Sequence, residues 1–250
     1  MAIDRAVLES VENKMSPPTL RIYQWEKPCI SLGYFQNPDN ELNWQQVRAD
    51  GVDVVKRMTG GRAVYHIGEL AYSVCCRNDE AEWCGTKETS YQVISRALIK
   101  VLESLEGNME FSLSRSTLKS NATGEAMLPC FSSPARFEVE WNQKKIVGSA
   151  QRRKKEAFLQ HGSILFNRDH LQIIDYLKLN ELEKKSYLKE LNANAISLSE
   201  CSGRRVYPTE IVEDFKSQFS KEWGVTIENG ELLDQEVHRI DELGKAYSLL

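Results

Sequence analysis

Between residues 137 and 150 the chain spells out a β-hairpin, and this constrains the fold more than any other stretch. Phe137, Val139 and Trp141 alternate with Glu138 and Glu140, giving a strand with one apolar and one charged face. Asn142 and Gln143 supply a turn, and Lys145 to Val147 return as the partner strand, running into the small residues Gly148, Ser149 and Ala150. Further strands are expected at Val52 to Lys56 and at Leu70 to Val74, where Leu70, Tyr72 and Val74 alternate. Ile94, Ala97, Leu98, Val101, Leu102 and Leu105 instead recur at helical spacing, with one core-facing side. After Phe166 the pattern turns helical: Ile211, Phe215, Phe219 and Trp223 are spaced by four, and the charged run Glu181 to Lys185 suits a solvated face. The expectation is an α+β fold, a mixed or antiparallel sheet with flanking helices. It is read as one domain over residues 1–250 with a helical portion from about residue 168.

A chain of 250 residues can bury a substantial core, and 41% hydrophobic with 27% charged residues excludes disorder and fibrous classes. Thirty-two basic against thirty-six acidic side chains leave a net charge of -4, which offers no global field for gripping nucleic acid. The opening MAIDRAVLESVENKM carries acids early and sets Ile3, Ala6, Val7 and Val11 on one helical face, unlike a signal peptide. No stretch reaches eighteen apolar residues, so no membrane span is expected and a cytoplasmic location is the simplest reading. Cys29, Cys75, Cys76, Cys84, Cys130 and Cys201 form no C-x-x-C pair and have no histidines at zinc spacing; neither a metal site nor a disulfide framework is expected.

Four segments stand out chemically. In Lys56 to His66, KRMTGGRAVYH, two glycines let the backbone approach a ligand with cations on either side, although Gly-Gly alone also makes a plain hairpin turn. In Pro129 to Pro134, PCFSSP, prolines bracket Cys130, the one cysteine in a constrained loop beside the other segments; Cys29, Cys75, Cys76 and Cys84 look like packing, and Cys201 has only Ser, Gly and Arg for company. Lys144 to Gln151, KKIVGSAQ, sets an ammonium beside backbone free of bulky side chains, which suits a carbonyl or carboxyl group, though an exposed hairpin lysine has the same pattern. Gln160 to Leu165, QHGSIL, is the fourth. The run Arg152, Arg153, Lys154, Lys155 is either a solvated turn or a docking patch for an acidic carrier protein.

In this order, TGGRAVYH, KKIVGSAQ and QHGSIL resemble the lipoate-protein ligase and octanoyltransferase family, which shares a cofactor-transferase fold with biotin ligases. The likeness extends to KPCISLGYFQ upstream and ELLDQEVHRIDELGKAYS at the end; residues 106 to 128 match least. The ATP-using ligases of the family carry a third glycine where this chain has Arg62, and many have an accessory C-terminal domain. The sequence is more similar to the cysteine-dependent octanoyltransferases, with TGGRAV, a cysteine in a C-F-x-x-P loop and a lysine fifteen residues on, here Cys130 and Lys145. Lys56 stands where the family usually has arginine.

The resemblance implies that Cys130 takes an octanoyl group from acyl carrier protein and passes it to a lysine amine of a lipoyl-domain protein, such as glycine cleavage H protein or a 2-oxoacid dehydrogenase E2. Lys145 would favour the thiolate; raising its population about thirtyfold takes roughly 2 kcal/mol. It further implies substrate contacts at Arg57, Thr59, Gly60, Gly61, Arg62, Ala63, His66, Gly148, Ser149, Ala150, Gln151, His161, Gly162 and Ser163, with Gly60, Gly61 and Ala63 as walls for the acyl tail. Neither ATP nor a metal is needed for such a transfer. The alternatives are a lipoate-protein ligase using ATP and Mg²⁺, with Cys130 incidental, and a non-catalytic acyl- or carrier-binding module. A monomer is expected.

Overall fold

The computed structural model describes residues 1–105, 109–114, 137–247 and 249. Cys130 and its PCFSSP loop lie outside the described residues. Helix α1 (Ala2–Glu12) buries Ala6, Val7 and Val11, the face expected from their spacing. Strands β1 (Thr19–Tyr23) and β2 (Cys29–Leu32) follow. The short helices α2 (Pro38–Glu41) and α3 (Trp44–Ala49) are each opened by an asparagine, Asn37 or Asn43, whose side chain accepts a first-turn N–H. Next come β3 (Asp53–Lys56), β4 (Val64–His66), β5 (Leu70–Arg77), helix α4 (Lys87–Glu103) and β6 (Ser112–Leu113). Beyond the undescribed segment lie β7 (Val139–Trp141), β8 (Lys144–Lys145), β9 (Val147–Arg153) and β10 (Ala157–Ile164). The remainder is helical: α5 (Ile173–Tyr176), α6 (Glu181–Asn194), α7 (Leu198–Ser202), α8 (Val212–Trp223) and α9 (Asp234–Tyr247).

The described strands form three sheets. The largest has the order β1-β5-β10-β9, antiparallel throughout. The second, β3-β2-β4, pairs β2 with β3 in parallel and with β4 antiparallel, and the third is β6-β7-β8. The α+β class with antiparallel sheets and flanking helices is therefore as the sequence patterning predicts. The expected hairpin forms, with Asn142 and Gln143 both at positive φ, 49° and 63°, as in two-residue turns whose twist suits a hairpin. Its details differ in two ways. Phe137 sits in a turn at φ 64° rather than in the strand. The returning strand breaks at Ile146, so that Lys144–Lys145 pair with β7 while Val147–Arg153 cross to the large sheet as its edge.

Strand β5 is buried on both faces, which is why it reads as a nearly continuous apolar run. Tyr72, Val74 and Cys76 face the main core with Phe158, Ile94, Leu98 and Leu102 of α4 and the stacked pair Phe215 and Phe219 of α8. On the other face Cys75 and Leu159 pack against Val7, Leu8 and Val11 of α1. Each such fully buried side chain contributes about 2 kcal/mol of transfer free energy. The second sheet has its own core with α3, α5 and α6. Cys76 and Cys84 lie in the main core with their Sγ atoms 3.4 Å apart, and burial pushes the thiol of Cys29 up to about 12, so these three are packing residues as expected; Cys201 is partly buried.

Candidate active site

Where the large sheet meets the second sheet lies a half-open cleft with a cavity volume of about 40 Å³. Its walls are Gly148, Ser149 and Ala150 of β9, His161, Gly162 and Ser163 of β10, and Ser31, Val64 and His66 of the second sheet, with Arg57 between. The small residues are required by how closely the strands approach. A Cβ on Gly162 would run into the Gly148 carbonyl and stand 2.7 Å from Cε1 of Tyr72, whose hydroxyl bonds Ser149 Oγ at 2.7 Å. Gly61 adopts φ 96°, a region that favours glycine, and its carbonyl occupies the space where a Cβ on Gly33 would project.

Arg57 is the clamp that shapes the glycine loop. Its Nη1 donates to the Ser31 carbonyl at 2.7 Å and to Ser31 Oγ at 2.8 Å, and its Nη2 donates to the carbonyls of Gly60 at 3.1 Å and Arg62 at 2.8 Å. A planar guanidinium can serve several acceptors in one plane, which an ammonium cannot. Ser31 Oγ, which accepts from this guanidinium, also lies 2.5 Å from His66 Nε2. His66 Nδ1 then faces Glu69 Oε1 at 2.5 Å, which also accepts from Ser163 Oγ at 2.7 Å. Trp25 stacks on the imidazole at 4.5 Å between centroids.

A second histidine faces the first. His161 Nε2 meets Thr59 Oγ1 at 2.7 Å, and its Nδ1 lies 3.5 Å from Asp4 Oδ2, which reaches in from α1; Asp4 is also paired with Arg21. Burial opposes ionisation of Asp4, but its contacts with His161 and Arg21 outweigh this and hold the carboxyl well below the ordinary range. Burial keeps His161 below the usual imidazole value despite Asp4. Among the described residues no group of histidine, cysteine and carboxylate side chains is arranged to hold a metal ion.

The structure brings together Arg57, Thr59, His66, Gly148, Ser149, Ala150, His161, Gly162 and Ser163 around one cleft, or directly behind its wall in the case of Thr59. Gly60 and Arg62 enter through their carbonyls, which accept from Arg57. Ala63 packs in the second core, and Gln151 turns away to Ser90 and Gln160, both bonds 3.0 Å. Lys145 sits at the end of β8 with its Nζ 2.7 Å from Oε2 of Glu138. Glu138, on the charged face of the expected strand, is buried and faces the ammonium. The basic run is corrected. Arg153 donates inward to Asn78 Oδ1 and the Cys84 carbonyl, both at 2.6 Å, and Lys154 is paired with Glu12, so only Arg152 and Lys155 remain exposed. Ser31, Glu69, Asp4, Trp25 and Glu138 were not singled out from the sequence; a glutamate three residues beyond His66, across the positive-φ Gly68, was the one local signal.

A glycine-shaped cleft thus lies across two sheets, with a buried lysine on the strand leading into it. Residues 1–220 match the lipoyl protein ligase A/B catalytic domain, and the chain belongs to that family. Among curated relatives, octanoyltransferase LipM of Moorella thermoacetica is 36% identical over 249 residues, 99% of this chain and 90% of the relative. Octanoyltransferase LipM of Clostridioides difficile is 34% identical over 248 residues, 99% and 90% of the respective chains. A crystal structure of lipoate-protein ligase A bound with ATP superposes with a TM-score of 0.76, 21% identity and coverage of 98% of this chain and 87% of that one. The bipartite lipoate protein ligase of Thermoplasma acidophilum, studied with its E2 lipoyl domain, gives 0.71, 20%, 98% and 86%. At these identities the two structures speak for the fold alone.

Proposed function

We propose that the chain is an octanoyltransferase of lipoate assembly, moving octanoyl from octanoyl-acyl carrier protein through a Cys130 thioester to the lysine amine of a lipoyl-domain protein. The observation that carries this reading is the similarity to octanoyltransferases LipM over 99% of the chain. Supporting it are the buried Lys145, the small-residue cleft and the Cys130–Lys145 spacing of fifteen residues. An ordinary thiol is only a few per cent thiolate at neutral pH, and the thiolate is the nucleophile, so an ammonium in a partly desolvated setting favours the reactive form. Exchange of the pantetheine thioester for a Cys130 thioester is nearly balanced and releases the carrier thiol. Attack by the lysine amine then forms an amide and returns the Cys130 thiol. Neither half requires ATP or a metal. Burial of six methylenes of the acyl tail contributes roughly 5 kcal/mol of gross binding.

The same reading takes residues 1–250 as one catalytic domain acting as a monomer in the cytoplasm; among the described residues no helix is long and apolar enough to cross a membrane. Its acceptors are lipoyl domains of the glycine cleavage H protein or 2-oxoacid dehydrogenase E2 kind. Intact-protein mass spectrometry after mixing with octanoyl-acyl carrier protein, without ATP, tests it. A hydroxylamine-sensitive octanoyl adduct on wild type and none on Cys130→Ser is expected. No adduct, together with lipoyl-domain modification only on addition of free octanoate and ATP, would overturn it.

A further inference from the structure

Phe35 is 85% exposed and its neighbour Tyr34 47%, yet the turn that carries them is firmly built. Tyr34 N–H donates to the Thr59 carbonyl at 2.9 Å, Gly33 N–H to Gln36 Oε1 at 2.9 Å, and Gln36 N–H back to the Gly33 carbonyl at 3.0 Å. Gly33 itself is pressed onto the Gly61 carbonyl with no room for a side chain. The two rings meet edge to face at 5.0 Å and 89°. Over the Tyr34 ring, 5.2 Å from its centroid, lies the guanidinium of exposed Arg152. A water-facing aromatic ring costs solvation with no gain inside this molecule, and its fixed turn removes most of the ordering cost of a contact with another.

Its position is specific. The turn hangs from Thr59, whose hydroxyl meets the buried His161, and from Gly61 of the glycine loop. Arg152 follows the cleft-wall Ala150 by two residues on the same face of β9. Aromatic and arginine side chains are the types that dominate protein interfaces.

We propose that Tyr34, Phe35 and Arg152 form the seat for the acceptor protein, an acidic domain that carries the target lysine; this rests on the transfer reading above. The length of the reacting arm selects the acceptor over the donor. A lysine side chain is short, so the domain delivering its amine to this cleft must bring its body to the rim. A carrier delivering an acyl group on a phosphopantetheine arm stands further off. The chain's net charge of -4 repels an acidic body overall, and exposed Arg152 beside the cleft wall offers that body a cation.

The test separates the two half-reactions. Phe35→Ala and Arg152→Glu are to form the octanoyl-enzyme from octanoyl-acyl carrier protein at the wild-type rate and to pass the acyl group to lysine amide at the wild-type rate. Transfer to an apo lipoyl domain is to show a KM raised at least tenfold, partly restored in Phe35→Leu. An unchanged KM for the lipoyl domain overturns the proposal. So does slowed enzyme acylation with an unchanged acceptor KM, which would give the surface to the donor, or an equal loss with lysine amide, which would mean a damaged cleft. If wild type forms no octanoyl-enzyme, the transfer reading fails, and calorimetric titration of the apo lipoyl domain into wild type and Phe35→Ala decides this surface on its own: equal affinities overturn it.

Discussion

The ammonium of Lys145 and the carboxylate of Glu138 lie 2.7 Å apart with only 5% and 3% of their side chains exposed. Removing one partner of a buried pair leaves a charge that water cannot reach, at a cost of about 3–5 kcal/mol, far above that of a surface pair. Glu138→Gln is therefore expected to lower the unfolding free energy by about 3 kcal/mol or more. Urea denaturation checks this; a change under about 1 kcal/mol would make the pair no stronger than a surface one.

Arg57→Lys is expected to be far from conservative. The lysine would keep the charge but not the fork that holds two acceptors of Ser31 and the carbonyls of Gly60 and Arg62. A loss of about 2 kcal/mol in thermal or urea unfolding is expected, with octanoyl transfer reduced more than tenfold. Wild-type stability in this variant would remove the clamp role.

Adjacent glycines in the first motif are predicted to respond differently to alanine. Gly60 has open space where a Cβ would project, whereas Gly61 sits at φ 96°. Gly61→Ala is expected to cost about 1–2 kcal/mol of backbone strain and Gly60→Ala well under 1 kcal/mol. Side-by-side melting curves decide; equal losses would contradict the geometry.

Acid should weaken the fold through His170 before the carboxylates titrate. Burial pushes its imidazole down to about 4, so between about pH 6.5 and 4 the unfolded chain binds a proton that the folded one refuses. The associated stability is whole above that window and is lost as pH falls through it, by roughly 3 kcal/mol in total. His170→Gln should flatten the pH profile of the urea midpoint over this range. A parallel profile in wild type and variant would rule out His170 as the source.

Legibility in the sequence followed the range of the interactions. Helix α4 and strand β5 were readable because Ile94, Leu98 and Leu102, or Leu70, Tyr72 and Val74, repeat within one element. The cleft's three motifs were readable because glycines and histidines cluster locally. The burial of Glu138 was not legible because alternation defines two faces of a strand without saying which is wet; its partner Lys145 lies across the hairpin turn. Asp4 was invisible for the same reason, since a carboxylate in the first turn of α1 acquires meaning only beside His161 of β10. The family resemblance carried by these motifs did imply that His66, His161 and the Gly148–Ala150 stretch belong to one site, and all of them line the cleft.

Helix α1, which carries Asp4 to the cleft, is held in turn by α9: Glu9 receives Arg239 at 2.8 Å across 230 residues of sequence. During synthesis α1 emerges with Val7, Leu8 and Val11 uncovered, well ahead of the α9 brace that lies 230 residues further on. A nascent chain stalled before α9 would hold its described sheets yet lack the Glu9–Arg239 brace on α1. The order of manufacture delays the bracing of this helix until α9 has emerged.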